Sequence, residues 1–171
     1  NKIAIRYPER TYSSVAEFDY AHLVAKSETD DIALIRLNSG TTPQLAHYFK
    51  LKRSVLDISN LRENETYYTT GFPDAETVAT AFSSNYQSTT LRLHLAQAPQ
   101  KRNLFFVGDQ SVGGCSGSPI YDGRKRLVGI LWGGLNVINS TTACPVNLAI
   151  DFVNEAIEED NQYCRRKLLY A

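Results

Sequence analysis

Gly113-Gly114-Cys115-Ser116-Gly117-Ser118-Pro119 is the stretch of this chain around which its fold and chemistry are organised. Glycine has no Cβ, so Gly114 and Gly117 can adopt backbone angles closed to other residues and let a substrate carbonyl approach. If the turn forms, the amides of Gly114 and Ser116 point to one spot as an oxyanion hole, and the Ser116 hydroxyl is a candidate nucleophile. A single GxSGxP match fits an ordinary turn between two strands equally well, so the neighbouring sequence must decide.

One rival motif and one rival nucleophile fit this stretch less well. The nucleophile elbow of α/β-hydrolases follows GxSxG, whereas this chain has Ser118 at the last position. Cys115 has the more nucleophilic type of side chain, but the pattern places the reactive side chain directly before Gly117. We therefore expect Cys115 to point into the interior.

The composition is that of an ordinary globular chain, with enough apolar residues to form a hydrophobic core. The 171 residues include 18 basic and 18 acidic side chains and are 43% hydrophobic. Zero net charge without a Lys/Arg block argues against nucleic acid or an anionic membrane surface as partner. No apolar run approaches the roughly 20 residues of a spanning helix. The chain opens at Asn1 without a signal-like apolar segment. We expect that a signal segment has been removed from a secreted or extracellular protein, with an intracellular protein as the alternative.

Cysteine and histidine spacing predicts neither a metal site nor a cofactor. CxxC and HExxH patterns are absent. The histidines are widely separated, at His22, His47 and His94. Three cysteines allow at most one internal disulfide, and its pairing stays open among Cys115, Cys144 and Cys164.

Short strands separated by turn residues every 8 to 12 positions or so predict an all-β fold. Three predicted strands precede a connector at residues 39–47, and they span residues 2–7, 15–24 and 32–37. Six follow it, at residues 66–71, 77–83, 89–96, 104–107, 118–121 and 127–132. Six antiparallel strands can close into a barrel, whereas three leave open edges and an apolar face.

The period changes near the C-terminus. From Asp151, a plausible N-cap, the residues Phe152, Val153, Ala156 and Ile157 fall on one face at helical spacing. This pattern predicts a C-terminal helix packed on the second group of strands. A helix that binds a partner is less consistent with so short an apolar face.

A carboxylate precedes the apolar strand at residues 32–37. A nucleophilic serine requires a base, and the base requires a carboxylate that fixes its tautomer and stabilises the imidazolium. Asp31 is placed for that role. Taken alone, it fits a solvated turn residue at least as well.

Four motifs in this order resemble the trypsin/chymotrypsin-like serine peptidases, and within them the bacterial glutamyl endopeptidase branch. They are DIALIRL at residues 31–37, TGFP at 70–73, GGCSGSPIYD at 113–122 and LVGILWGG at 127–134. The resemblance implies two six-stranded antiparallel β-barrels, of which the first is half present, followed by a C-terminal α-helix. Residues 1–45 would be the rest of the first barrel with its connector, and residues 46–171 the second barrel with the helix.

The resemblance also implies the roles of individual residues. Ser116 would be the nucleophile, Asp31 the acid of the catalytic triad, and the amides of Gly114 and Ser116 the oxyanion hole. Leu131, Trp132 and Gly133 would pair with an extended substrate as an added strand. Ser111 falls where the family keeps a hydroxyl in the primary specificity pocket.

Two positions depart from the family pattern. Cys115 replaces the aspartate that pairs with a newly cut N-terminus in animal enzymes, so that activation route cannot operate. Leu131 replaces the pocket histidine of glutamate-specific members, and burying an unpaired carboxylate costs several kcal/mol. The sequence therefore predicts an apolar or uncharged residue before the cleaved bond.

The catalytic histidine is a third departure. The family places two strands between its histidine and aspartate, whereas only eight residues lie between His22 and Asp31. His22 is therefore interpreted as a strand residue, and His47 and His94 as exposed structural histidines. We expect the histidine, and the first strands, on a segment N-terminal to Asn1, so that the isolated chain is inactive.

The sequence thus predicts a serine endopeptidase that acts through an acyl-enzyme on Ser116. Its partners would be a peptide or protein substrate and the N-terminal segment that completes the first barrel. The alternative is a catalytically inactive homologue that serves as a protein-binding module. Retention of Ser116, Asp31 and Gly114 favours the enzyme, because binding alone does not require them.

Overall fold

The computed structural model describes residues 2–5, 13–37, 57–72, 88–109, 113–135 and 140–169. The predicted strand at 77–83, the connector at 39–47 with His47, the proposed domain boundary at 45/46 and Ser111 lie outside these ranges. The side chain of Cys164 is also outside the description.

A three-stranded antiparallel sheet forms the N-terminal part, in the order β1-β2-β3. Its strands are β1 Lys2–Ile5, β2 Asp19–Ser27 and β3 Ile32–Leu37. Lys2 pairs with His22, and Leu23 pairs with Ile35. The third strand matches its predicted bounds.

The second predicted strand begins too early. Val15–Glu17 is a 3-10 turn, and β2 starts only at Asp19. The Glu17 amide donates to the Ser14 carbonyl at 3.2 Å, and the Ser13 amide donates to the Glu17 carboxylate at 2.9 Å. These local hydrogen bonds close a turn where the apolar pattern alone indicated an extended chain.

Six further strands close into an antiparallel barrel in the order β4-β5-β6-β9-β8-β7. Their bounds are β4 Thr66–Gly71, β5 Thr89–Leu95, β6 Leu104–Gly108, β7 Pro119–Asp122, β8 Leu127–Leu135 and β9 Ser140–Pro145. The barrel interior is one apolar cluster, formed by Leu61, Tyr67, Leu93, Leu95, Leu104, Phe106, Cys115, Ile120, Val128, Leu131 and Ala143. The predicted second barrel is therefore confirmed.

Strand β9 was not predicted. Its sequence, STTACP, has no large aliphatic or aromatic residue and ends in proline, and a buried threonine, Thr141, occupies one inward position. The strand forms because β6 and β8 pair with its two edges and satisfy its backbone groups. It is the sixth strand of the described barrel.

The C-terminal helix, α1, spans Val146–Leu169 and follows β9 without a loop. The prediction that it begins at Asp151 was wrong, because Val146 already starts the first turn and is fully buried. Phe152 and Ala156 face inward as expected, whereas Ile157 is half exposed. The helix packs on β8 and β9 and also contacts β2 and β3.

The sheet and the barrel meet beside the start of α1. A junction cluster forms there from Ile32, Cys144 and Ala149, against which Ile130, Leu148 and Phe152 pack. In the part of the chain that the structure describes, no helix has the length and apolarity that a bilayer crossing requires.

Candidate active site

The serine turn, residues 113–118, connects the region after β6 to β7 and is fixed to β8. Within it, the Ser118 amide donates to the Cys115 carbonyl at 3.1 Å. The Gly117 amide donates to the Leu131 carbonyl at 2.7 Å, and the Leu131 amide donates to the Ser118 carbonyl at 2.9 Å. The two bonds to Leu131 tie the residues that follow Ser116 to one barrel strand, and the bond from Ser118 to Cys115 closes the turn around Ser116.

Two glycines give the turn its shape. Gly114 has φ 87° and Gly117 has φ 84°, values in the left-handed region that other residues reach only with strain. The sequence prediction that these positions need glycine for backbone freedom is confirmed. A side chain at either position would distort the turn on which Ser116 is held.

The Ser116 side chain is exposed at the tip of the turn. Its Oγ donates a long hydrogen bond of 3.4 Å to the Trp132 carbonyl. Neither the Gly114 amide nor the Ser116 amide makes a backbone hydrogen bond to a described residue, whereas the next two amides are both occupied. An exposed hydroxyl thus lies beside two amides that are free of described backbone acceptors.

Cys115 points the other way. It is 2% exposed and belongs to the apolar cluster of the barrel, so the expected inward orientation is confirmed. A buried thiol below the turn anchors the backbone without competing for substrate.

Strand β8 presents a bulge next to Ser116. Its pairing with β9 shifts between Leu131 and Gly133, which leaves Trp132 as the extra residue. The Trp132 side chain is 40% exposed, and the space beside the Gly133 Cα is open. Both residues of this segment are therefore accessible from the surface.

Leu131 differs from its expected role in contacting substrate. Its side chain is 2% exposed and packs in the barrel core, and its backbone amide and carbonyl both bond to the serine turn. Leu131 therefore holds the serine turn in place through its backbone, and its side chain does not reach a substrate side chain. Of the three predicted strand residues, Trp132 and Gly133 remain accessible.

Asp31 lies in the turn between β2 and β3. Its side chain is exposed, its φ is 50°, and no hydrogen bond to its carboxylate is seen among the described residues. It precedes Ile32 in the junction cluster, to which Ile130 contributes. Ile130 pairs with Pro119, three residues after Ser116. The turn with Asp31 and strand β7, which follows Ser116, are thus both connected to the junction cluster, and no hydrogen bond between Asp31 and Ser116 is seen.

The neighbouring Asp30 has the structural role that sequence reasoning missed. Arg102 Nη1 donates to Asp30 Oδ1 at 2.7 Å, and Ser27 Oγ donates to Asp30 Oδ2 at 3.0 Å. Arg102 follows β5, so this ion pair connects the turn that carries Asp31 to the barrel. No sequence signal distinguishes Asp30 from Asp31, because the partner is 72 residues away.

The two described histidines remain strand residues. His22 is exposed on β2, opposite Lys2 and Arg36, and His94 is exposed on β5, opposite Thr66 and Val107. Neither hydrogen-bonds to Ser116 within the described ranges. The interpretation of both as structural histidines is consistent with these positions.

Two of the cysteines are free thiols. Cys115 and Cys144 are both buried and unbonded, so the pairing of these two with each other is excluded. Burial raises the pKa of Cys144 to about 11, with the nearby charge of Asp30 adding to the shift and Arg102 opposing it. Cys144 is therefore a protonated, unreactive thiol at neutral pH. Across the described residues, no group of three or more His, Cys, Asp or Glu side chains is arranged to hold a metal ion.

A family comparison agrees with this geometry. The family model described as the trypsin-like peptidase domain matches residues 8–130, well over half of the chain and a range that includes both Asp31 and Ser116. The chain belongs to the trypsin-like peptidase family. The resemblance inferred from the four motifs is confirmed at this level.

Solved structures show the same fold for this peptidase domain. The serine endoprotease from Yersinia pestis aligns with a TM-score of 0.62 at 16% identity, over 84% of this chain and 46% of that protein. The HtrA-type protease AlgW, in a structure with decapeptide, aligns with a TM-score of 0.62 at 17% identity, over 83% of this chain and 42% of that one. No curated protein sequence matches the chain.

These matches establish a partial chymotrypsin-like fold with one closed barrel and a C-terminal helix. The peptidase domain described here spans less than half the length of the solved proteins it matches. The glutamyl endopeptidase branch, the compartment and the roles of single residues stay predictions.

Proposed function

We propose that this peptidase domain is the nucleophile-bearing part of a serine endopeptidase. The observation that carries the proposal is the serine turn, in which an exposed hydroxyl stands beside two amides free of described backbone acceptors. The next amide, of Gly117, bonds to strand β8, and that of Ser118 bonds to the Cys115 carbonyl. Preorganised donors of this kind stabilise the negative charge of a tetrahedral intermediate. Family membership supports a protease at the coarser level.

The proposed reaction proceeds through an acyl-enzyme. Ser116 Oγ attacks the carbonyl carbon of the scissile peptide, and its proton passes to a histidine whose tautomer Asp31 fixes. The carbonyl oxygen becomes an oxyanion that accepts hydrogen bonds from Gly114 and Ser116. The histidine then protonates the leaving amine, and a water molecule hydrolyses the ester to restore the serine.

One proposed partner, a segment N-terminal to Asn1, would supply both the catalytic histidine and the strands that pack on the three-stranded sheet. Leu23 and Ile35 pair across β2 and β3, and both are more than a third exposed on the sheet. An additional strand packed on this sheet would bury them and enclose the Asp31 carboxylate. A protein that carries this segment is then expected to unfold at higher temperature than residues 1–171 alone.

The substrate class is a peptide or protein with an apolar or uncharged residue before the cleaved bond. This choice rests on the sequence resemblance, in which leucine stands at residue 131 where glutamate-specific members carry a histidine; the Leu131 side chain itself is buried in the barrel core. Cleavage of a peptide library by the natural protein measures the preference. A profile dominated by glutamate would contradict it.

A protein-binding module is the second candidate function. Its supporting observation is that the Asp31 carboxylate is exposed and lacks a hydrogen bond to any described residue. In such a protein the β8 bulge would bind an extended segment without cleaving it.

Reaction with a fluorophosphonate probe separates the two candidates. We expect the natural protein to be labelled, with the added mass on the peptide that contains Ser116. Ser116→Ala is expected to abolish labelling, whereas Ser88→Ala, an exposed serine before β5, leaves it unchanged. Absence of labelling under every processing condition would support the binding module.

A further inference from the structure

Gly71, the last residue of β4, lies directly beneath the serine turn. A Cβ built on Gly71 would come within 2.6 Å of Ser118 Oγ, and within 3.3 Å of both Cα and Sγ of Cys115. Such distances are shorter than ordinary van der Waals contacts. The serine turn therefore occupies the space that a side chain at Gly71 would need.

The atoms around this space differ in how far they can move. Ser118 Oγ ends a short side chain and can rotate away. Cys115 cannot move inward, because its thiol is packed in the barrel core. A methyl group at Gly71 would consequently push the Cys115 backbone outward by a few tenths of an ångström.

That displacement would reach the proposed oxyanion hole. Cys115 is the residue between the two free amides, and its carbonyl accepts the hydrogen bond from Ser118 that closes the turn. The Ser116 amide is bonded directly to the Cys115 carbonyl carbon, so a shift of Cys115 redirects it. Donors displaced from the oxyanion lose much of their effect on the transition state.

We propose that Gly71 is a positioning residue, which sets the direction of the Gly114 and Ser116 amides by leaving room for Cys115. The catalytic part of this inference rests on the proposed function. Because the amides bind charge that develops only in the transition state, a misplaced turn lowers kcat and leaves KM nearly unchanged. Gly71→Ala is expected to lower kcat about 10- to 100-fold.

Gly123 provides a matched control. It lies in the turn between β7 and β8, and a Cβ added there meets nothing within 4 Å. Gly123→Ala introduces the same methyl group into the same barrel without a clash. A second variant, Gly71→Ala combined with Ser118→Ala, removes the closest of the three contacts but leaves both contacts to Cys115, so it is expected to retain the loss in kcat.

The experiment uses the natural full-length protein and measures kcat and KM with a peptide substrate, together with the rate of fluorophosphonate labelling. Thermal unfolding is followed for each variant. The inference predicts a loss in kcat for Gly71→Ala, a similar loss in the double variant and wild-type values for Gly123→Ala; full recovery in the double variant would show that Ser118, and not Cys115, transmits the effect. Wild-type kcat in Gly71→Ala, or a fall in unfolding temperature with unchanged kcat, would overturn it.

A second readout does not depend on activity. In a Ser116→Ala background, the amide NMR shifts of residues 114–117 are compared with and without Gly71→Ala. The inference predicts shifts at these amides that Gly123→Ala does not produce, and unchanged shifts would overturn it. If the wild-type protein is never labelled, the proposed function is disproved. The NMR comparison would still decide whether Gly71 sets the position of the serine turn.

Discussion

The closed barrel and the three-stranded sheet differ in how much of their apolar surface they bury. The barrel encloses one continuous cluster that includes Cys115, directly beneath the proposed nucleophile. In the described part of the sheet only Ala21 and Ile32 are buried, while the cross-strand pair Leu23 and Ile35 is exposed. The barrel can stabilise its own geometry, whereas the sheet depends on what packs against it.

This difference divides the proposed chemistry between two regions. The barrel supplies the parts that must be rigid, namely Ser116, the two amides and the bulged strand at Trp132. The sheet supplies Asp31, whose position depends on the junction cluster and on the ion pair between Asp30 and Arg102. Substitutions in the barrel and in the sheet should therefore affect activity and stability in different proportions.

The largest expected effect is the loss of catalysis when Asp31, in the three-stranded sheet, is substituted. Asp31→Asn in the natural protein should lower kcat by about 10⁴-fold, because the histidine loses the carboxylate that fixes its tautomer. Asparagine tolerates the left-handed φ of this position, so the free energy of unfolding should change by less than about 0.5 kcal/mol. Asp30→Asn is the adjacent control, with a much smaller loss in kcat. Equal losses in the two variants would remove the special role of Asp31.

The second largest effect is expected in the barrel, on the free energy of unfolding. Buried Asp122 accepts hydrogen bonds from the Arg124 and Arg126 amides and from the Arg126 guanidinium. Burial alone would raise the pKa of Asp122, but the hydrogen bonds and charge of Arg126 lower it below its ordinary value. Asp122→Asn should reduce the free energy of unfolding by about 1–3 kcal/mol at pH 7.

The pH dependence of this loss follows from the direction of the shift. A carboxylate whose folded pKa is depressed stabilises the protein above its unfolded pKa of about 3.9, and the contribution disappears as pH falls through the folded pKa. Denaturant unfolding should therefore show the gap between wild type and Asp122→Asn closing below about pH 4. Asp151→Asn, on the exposed side of α1, serves as the control. A gap that stays constant down to pH 2 would contradict the assignment.

The smallest effect concerns the connection between the two regions. The Arg102 guanidinium is more than half exposed, so Arg102→Gln should cost only about 0.5–1 kcal/mol of stability. It should also reduce kcat severalfold, because the turn with Asp31 loses its tie to the barrel. The exchanged pair, Asp30→Arg with Arg102→Asp, should regain part of the loss. No recovery in the exchanged pair would show that the ion pair does not position the turn.

Most strands could be predicted because their signal is local. The IALIRL run became β3 with its predicted bounds, and the alternating Thr66–Gly71 segment became β4. The inward orientation of Cys115 followed from the position of Ser116 before Gly117. In each case residues adjacent in sequence carry the information.

Features that depend on distant partners could not be predicted. Strand β9 lacks the large apolar residues that mark the other strands and is defined by the strands on its two sides. The helix starts at Val146, a fully buried residue, and no capping pattern in the sequence indicates that start. The buried side chain of Leu131 and the closeness of Gly71 to Cys115 likewise arise only when the barrel closes.

The central claim is that the glycine turn directs two amides at the site where Ser116 reacts. A crystal structure of the natural protein after reaction with a fluorophosphonate tests it most directly. The account predicts a phosphonate on Ser116 Oγ whose phosphoryl oxygen lies about 2.7–3.1 Å from the amide nitrogens of both Gly114 and Ser116. A phosphoryl oxygen that bonds to neither amide would contradict it.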